Sequence, residues 1–87
     1  MERNLLRRMD LQEEPIPGLP IIEIAGNKRV LIEHHCGVTQ YGCNCIWVNV
    51  KNGCICVEGS NLELAKMTAN MLIISGCIQC VRLERRG

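Results

Sequence analysis

Phenylalanine is missing from the 87 residues of this chain, and Tyr41 and Trp47 are its only aromatic side chains. A single-strand nucleic-acid binder offers several rings for bases to stack on, so that class is disfavoured. Excess charge is missing too: ten Lys and Arg against nine Asp and Glu leave a formal net charge of +1. No strong field draws in a phosphate backbone or an anionic membrane, and nucleic acid is not an expected partner. Long apolar runs are also missing. The longest charge-free stretches, residues 34–50 and 67–81, are interrupted by Asn, Gln, Thr and Gly, and fall short of the roughly 20 apolar residues that span a bilayer. Residues 1–15, "MERNLLRRMDLQEEP", interleave charges with leucines and make no signal-peptide core. The expectation is a cytoplasmic protein without direct membrane insertion.

What is present is aliphatic. With 47% hydrophobic residues the chain is a folding sequence, its interior built from Leu, Ile, Val, Met and Cys. A chain this short supports one thin-cored domain. Residues 4–13 place Leu5, Leu6 and Met9 at helical spacing behind Asn4, which predicts a short helix. Pro15, Pro17, Gly18 and Pro20 end it and make an extended linker, so residues 1–18 read as helix and linker and residues 19–87 as the main domain.

Within the main domain Gly26, Gly42, Gly59 and Gly76 recur at intervals of 16, 17 and 17 residues. The stretches "IIEIAGNKRVLIE", "ICVEGSNLELAK" and "LIISGCIQCVRLE" each run apolar alternation into Gly and resume it afterwards, the pattern of strand, turn, strand. The expected fold is all-β: an antiparallel meander of seven to eight short strands that forms a small sandwich or a curled, barrel-like sheet, alternation fixing the faces and not the closure. Gly26-Asn27, Gly42, Asn52-Gly53, Gly59 and Gly76 are its expected turns. The charged alternation of "VRLERR" suits a last strand lying at an edge, where it discourages uncontrolled pairing and leaves room for a specific strand-adding partner.

Seven cysteines are an odd number that cannot pair completely within one chain, and a reducing cytosol keeps thiols free. Four of them flank Asn52-Gly53. Read as a two-residue type I′ turn, that pair places Val50 opposite Ile55 and Val48 opposite Val57. Ile46, Val48, Val50, Ile55 and Val57 then share one face; Cys43, Cys45, Trp47, Asn49, Cys54, Cys56 and Glu58 share the other. A tetrahedral zinc site needs four sulfurs each about 2.3 Å from one ion, which an unbroken hairpin does not supply. "EHHC" at residues 33–36 and "CIQC" at residues 77–80 add donors, but Cys77 and Cys80 point to opposite faces unless a bulge intervenes. The reading is therefore no cofactor, with cysteine used as a small hydrophobe; the alternative is a metal held by Cys43, Cys45, Cys54 and Cys56. Cys36 beside His34 and His35 lacks an orienting third group and an oxyanion hole, so catalysis is not expected.

The motif elements have a family likeness. "LP" at Leu19-Pro20, a strand into Gly26-Asn27, Ile32, Glu33, His35 and Gly37 in "IE-x-H-x-G", Gly59, Asn61 and Leu62 in "G-x-NL", and Ile74, Gly76 and Ile78 in "I-x-G-x-I" follow one another in order. In this the chain resembles the YabP/YqfC family of sporulation proteins from endospore-forming bacteria, and looks closest to the YqfC branch. The resemblance implies a small mother-cell protein without catalytic residue or cofactor, accompanying a membrane protein of the YqfD type. It makes Glu33, His35, Gly37 and Asn61 interaction candidates, unless turn geometry and side-chain to backbone hydrogen bonds account for them. Cys36, Cys43, Cys45, Cys54 and Cys77 depart from the family, standing where relatives tend to carry polar or charged residues. That departure raises zinc, an iron-sulfur cluster or thiol pairing between chains.

Overall fold

The computed structural model describes residues 18–85. The helix expected over residues 4–13 lies outside them. Among the described residues six strands, all antiparallel to their neighbours, form one sheet: β1 (Ile21–Ala25), β2 (Arg29–Glu33), β3 (Val38–Tyr41), β4 (Cys45–Val50), β5 (Gly53–Met67) and β6 (Met71–Arg85). Their spatial order is β1-β2-β6-β5-β4-β3. The all-β expectation holds, while the count of seven to eight short strands is corrected to six.

The correction comes from two glycines. Gly26 does turn the chain, at a φ of 56°, between β1 and β2. Gly59 and Gly76, also expected at turns, lie inside β5 and β6, each of which runs for 15 residues. Both stand where the two long strands approach closely. A Cβ on Gly59 would collide with the Cys77 carbonyl, and one on Gly76 would stand 2.5 Å from the Asn61 carbonyl oxygen. The pairing slips between Glu58 and Gly59, between Ser60 and Glu63 and between Leu64 and Lys66, so these are bulges that bend the ribbon without ending it.

The β4–β5 hairpin needs a second correction. Val50 pairs with Gly53 and Asn49 with Cys54, so Lys51-Asn52 is the loop and Gly53 opens the strand. Positive φ occurs at Asn52 (65°) and not at Gly53, whereas a type I′ turn needs it at both central residues. Gly53 serves the sheet instead, because a Cβ there would meet the Glu84 carbonyl of β6. The slip leaves the division of faces intact: Val48 now pairs with Ile55 and Ile46 with Val57, still apolar against apolar.

The bends divide the sheet into two halves that share β5 and β6. One half joins β1 and β2 to residues 71–75 of β6 and 63–67 of β5; the other joins β3 and β4 to residues 53–58 of β5 and 80–85 of β6. Val30 and Ile32 of β2 and Ile46, Val48 and Val50 of β4 never pair. They meet in one buried cluster with Ile55, Val57, Leu62, Leu72, Ile74 and Ile78. The apolar face is thus hidden by folding one sheet on itself. Among the described residues β1 and β3 remain unpaired edges, so the sheet is open and not a closed barrel. β6 lies between β2 and β5 in the strand order, but β2 pairs only with its residues 71–75; residues 81–85, the stretch expected at an edge, pair with β5 alone and so form an edge of their half of the sheet.

Candidate functional site

Behind the buried face, the outer face of the β3–β6 half is laid out in cross-strand rows. Register places Cys45 beside Glu58 and Glu58 beside Cys80; Trp47 beside Cys56 and Cys56 beside Arg82; Asn49 beside Cys54 and Cys54 beside Glu84. Cys45 and Cys56 are diagonal neighbours, and their Sγ atoms are 3.6 Å apart. The Cys56 Sγ lies 3.7 Å from Glu58 Oε2. Donor atoms of Cys45, Cys56 and Glu58 all fall within 4.8 Å of one another, which no other such trio does among the described residues.

Arg82 roofs this cluster. Its Nε donates to Glu84 Oε2 at 3.0 Å, an Nη contacts Glu58 Oε2 at 3.3 Å, and its guanidinium carbon stands 5.8 Å from the centre of the Trp47 ring. The Glu84 hydrogen bond, with the nearby Glu58 and Cys56, drives the guanidinium pKa further up. Beneath it Cys56 has no exposed surface. Burial first, then the hydrogen bond and charge of Cys45, push the Cys56 thiol up from 9.0 to about 12.

Of the four cysteines proposed as alternative ligands, the fold unites Cys45 and Cys56. Neither Cys43, exposed in the β3–β4 loop, nor Cys54 joins the trio. "CIQC" does contain its bulge: Glu58 pairs with Cys80 and Gly59 with Ile78, leaving Gln79 unmatched. Its two cysteines too stay outside the trio, as do His34, His35 and Cys36. Glu58 is the member that sequence reasoning did not single out as a ligand, although period-two alternation put it on the cysteine face. Its distance from Cys56 depends on side-chain direction, and Arg82 reaches it from a strand whose register depends on a bulge.

The motif residues around position 35 have a different chemistry. His35 Nδ1 accepts from the Gly37 N–H at 3.0 Å, so Nε2 carries the proton it donates to the Thr68 carbonyl at 2.8 Å. His34 N–H donates to the Asn70 carbonyl, and the carbonyl of Gly37, a residue at a φ of 113°, accepts from the Asn49 N–H. The β2–β3 connection is therefore clamped to the β5–β6 loop and to β4. Both His35 nitrogens are engaged, and the ring offers Cys36 no free base. Asn61, at a φ of 54°, lies in the bulge opposite Gly76. Glu33 ends β2, between Ile21 and Met71.

On the outer face of the other half, the row Glu23, Leu31, Ile73 carries two half-buried aliphatic side chains where a solvated face is ordinarily polar. Glu23, Ile24, Ala25, Arg29, Leu31 and Ile73 line a groove of about 210 Å³ there. It borders β1, whose Ile21 and Ile24 are 41% and 54% exposed. Among the described residues no helix is long and apolar enough to cross a membrane.

Compared with known proteins, residues 20–87 match the YabP family. Over 82 residues the chain is 24% identical to the uncharacterized protein YqfC of Bacillus subtilis (strain 168), an alignment covering 94% of this chain and 88% of that relative. No solved structure matches.

Proposed function

Because the chain belongs to the YabP family, we propose that it is a non-enzymatic sporulation protein that works through protein contacts in the mother-cell cytoplasm, with a membrane-associated partner of the YqfD type. One observation carries the contact reading: the outer face of the β1–β2 half presents Leu31 and Ile73 in a groove beside an unpaired edge strand with exposed Ile21 and Ile24. An exposed aliphatic groove ringed by Glu23 and Arg29 is the composition of a contact surface, with an apolar centre and a charged rim. An open β edge beside it offers backbone groups to a partner strand. Glu33 stands at the end of the same face, in the row Ile21, Glu33, Met71. His35 and Gly37, just beyond, hold the adjoining loops in place.

The test is association in the cell. Tagged protein from sporulating cells is expected to copurify with the YqfD-type membrane protein, Leu31→Glu to lose that capture while keeping its fold, and deletion to lower spore yield. Absence of the membrane protein from the purified material, together with unchanged spore yield on deletion, would sink the reading.

A further inference from the structure

We infer that Cys45, Cys56 and Glu58 form a binding site for a divalent, thiolate-seeking metal ion, with zinc the ion of choice and a water in the fourth position. This site is independent of the partner groove, which lies on the other half of the sheet.

Its geometry is the first support. Ligand atoms about 2.0–2.3 Å from a tetrahedral zinc ion stand roughly 3.5–3.8 Å from one another. The separations here are 3.6 Å between the two sulfurs and 3.7 Å between the Cys56 sulfur and the Glu58 oxygen. Two edges of a tetrahedral face are thus already set before any side chain moves. Three protein ligands with one open position is also an established zinc arrangement.

Charge is the second support. Two thiolates with the Glu58 and Glu84 carboxylates bring four negative charges together, of which zinc and the Arg82 guanidinium shared by the two carboxylates offset three. Arg82 is itself oriented by Glu84 and the Trp47 ring, so the carboxylate has the kind of outer partner that holds metal ligands in place. Access is the third. Cys56 is enclosed, but Cys45 and Glu58 are part-exposed, so an ion enters from the outer face. The protons held by the thiols must leave when the ion binds, so affinity climbs with pH.

The site is tested on the full chain, reduced and handled without oxygen, by titration with Co²⁺ and displacement with Zn²⁺. One ion per chain is expected, with thiolate-to-cobalt absorption, release of protons, and tighter binding as pH rises. Cys45→Ser, at a part-exposed position that leaves the core intact, and Glu58→Gln are each expected to weaken zinc by at least about tenfold, since even outer partners of metal ligands contribute that much. A Cys45→Ser/Cys56→Ser variant shown by circular dichroism to be folded should bind none. Cys43→Ser/Cys54→Ser should bind as the parent does. The inference is overturned if the parent chain takes up no stoichiometric ion, if the folded Cys45/Cys56 variant keeps one, or if Cys43→Ser/Cys54→Ser loses it.

Discussion

Cys56 shows how far a side chain's surroundings can depart from what its face predicts. Alternation puts it on the outer side of the hairpin, and it is on that side, yet Trp47 and Arg82 flank it from the neighbouring strands and it keeps no exposed surface. The consequence is a pH dependence whose sign can be worked out. Burial raises the thiol from 9.0 in the unfolded chain to about 12 in the fold, so between those values the unfolded state has lost a proton that the native state keeps. Stability from this group is fully present below pH 9 and is lost as pH rises toward 12. Melting temperatures of the metal-free protein, measured upward from neutral pH, should fall in that window, and Cys56→Ala should flatten the fall. His35 is the complementary case. Its family motif was readable, but its two backbone partners, Gly37 and Thr68, come from segments that only the fold brings together.

Among the elements, β5 and β6 are the ones whose lengths the sequence conceals. Glycine flanked by alternating apolar residues has the same local pattern whether the chain turns there or bends and continues. A Cβ added at Gly26 would meet nothing within 4 Å, whereas at Gly59 and Gly76 the facing strand's carbonyls stand in the way. Gly26→Ala should therefore lose only about 1 kcal/mol, the conformational cost of its left-handed backbone. Gly59→Ala and Gly76→Ala should each lose about 3 kcal/mol or more, because a backbone carbonyl cannot withdraw without breaking strand pairs. Urea unfolding of the three variants checks this, and equal losses at all three would contradict the bulge assignment. The hairpin register at Lys51-Asn52 was hidden for a related reason: Asn-Gly is strong turn chemistry, but Gly53 is required by β6.

For the whole molecule the deciding feature is that β2 and β4, which share no hydrogen bonds, share a core. Ile32 is completely buried there, while Leu83 near the end of β6 is 51% exposed. Ile32→Ala is expected to lose about 3 kcal/mol through lost burial and the cavity left behind. Leu83→Ala should stay within about 0.5 kcal/mol of the parent. Chemical denaturation gives both numbers. Comparable losses would mean that the two halves of the sheet are not held by a common interior. The same folding-over leaves two outer faces, one carrying the thiols with Glu58 and Arg82, the other the aliphatic groove beside β1.

Three features were legible in the amino-acid sequence: that the protein is all-β, which residues of the β4–β5 hairpin face inward, and that the hairpin cysteines stand apart from the apolar face. Side chains alternate with period two along a strand, and a register error of two residues leaves that alternation untouched. Which glycines turn and which bend, how many strands result, and which thiols meet a carboxylate follow from the folded arrangement alone. Each of those depends on how closely a second strand approaches, a distance set by packing between residues remote in the chain.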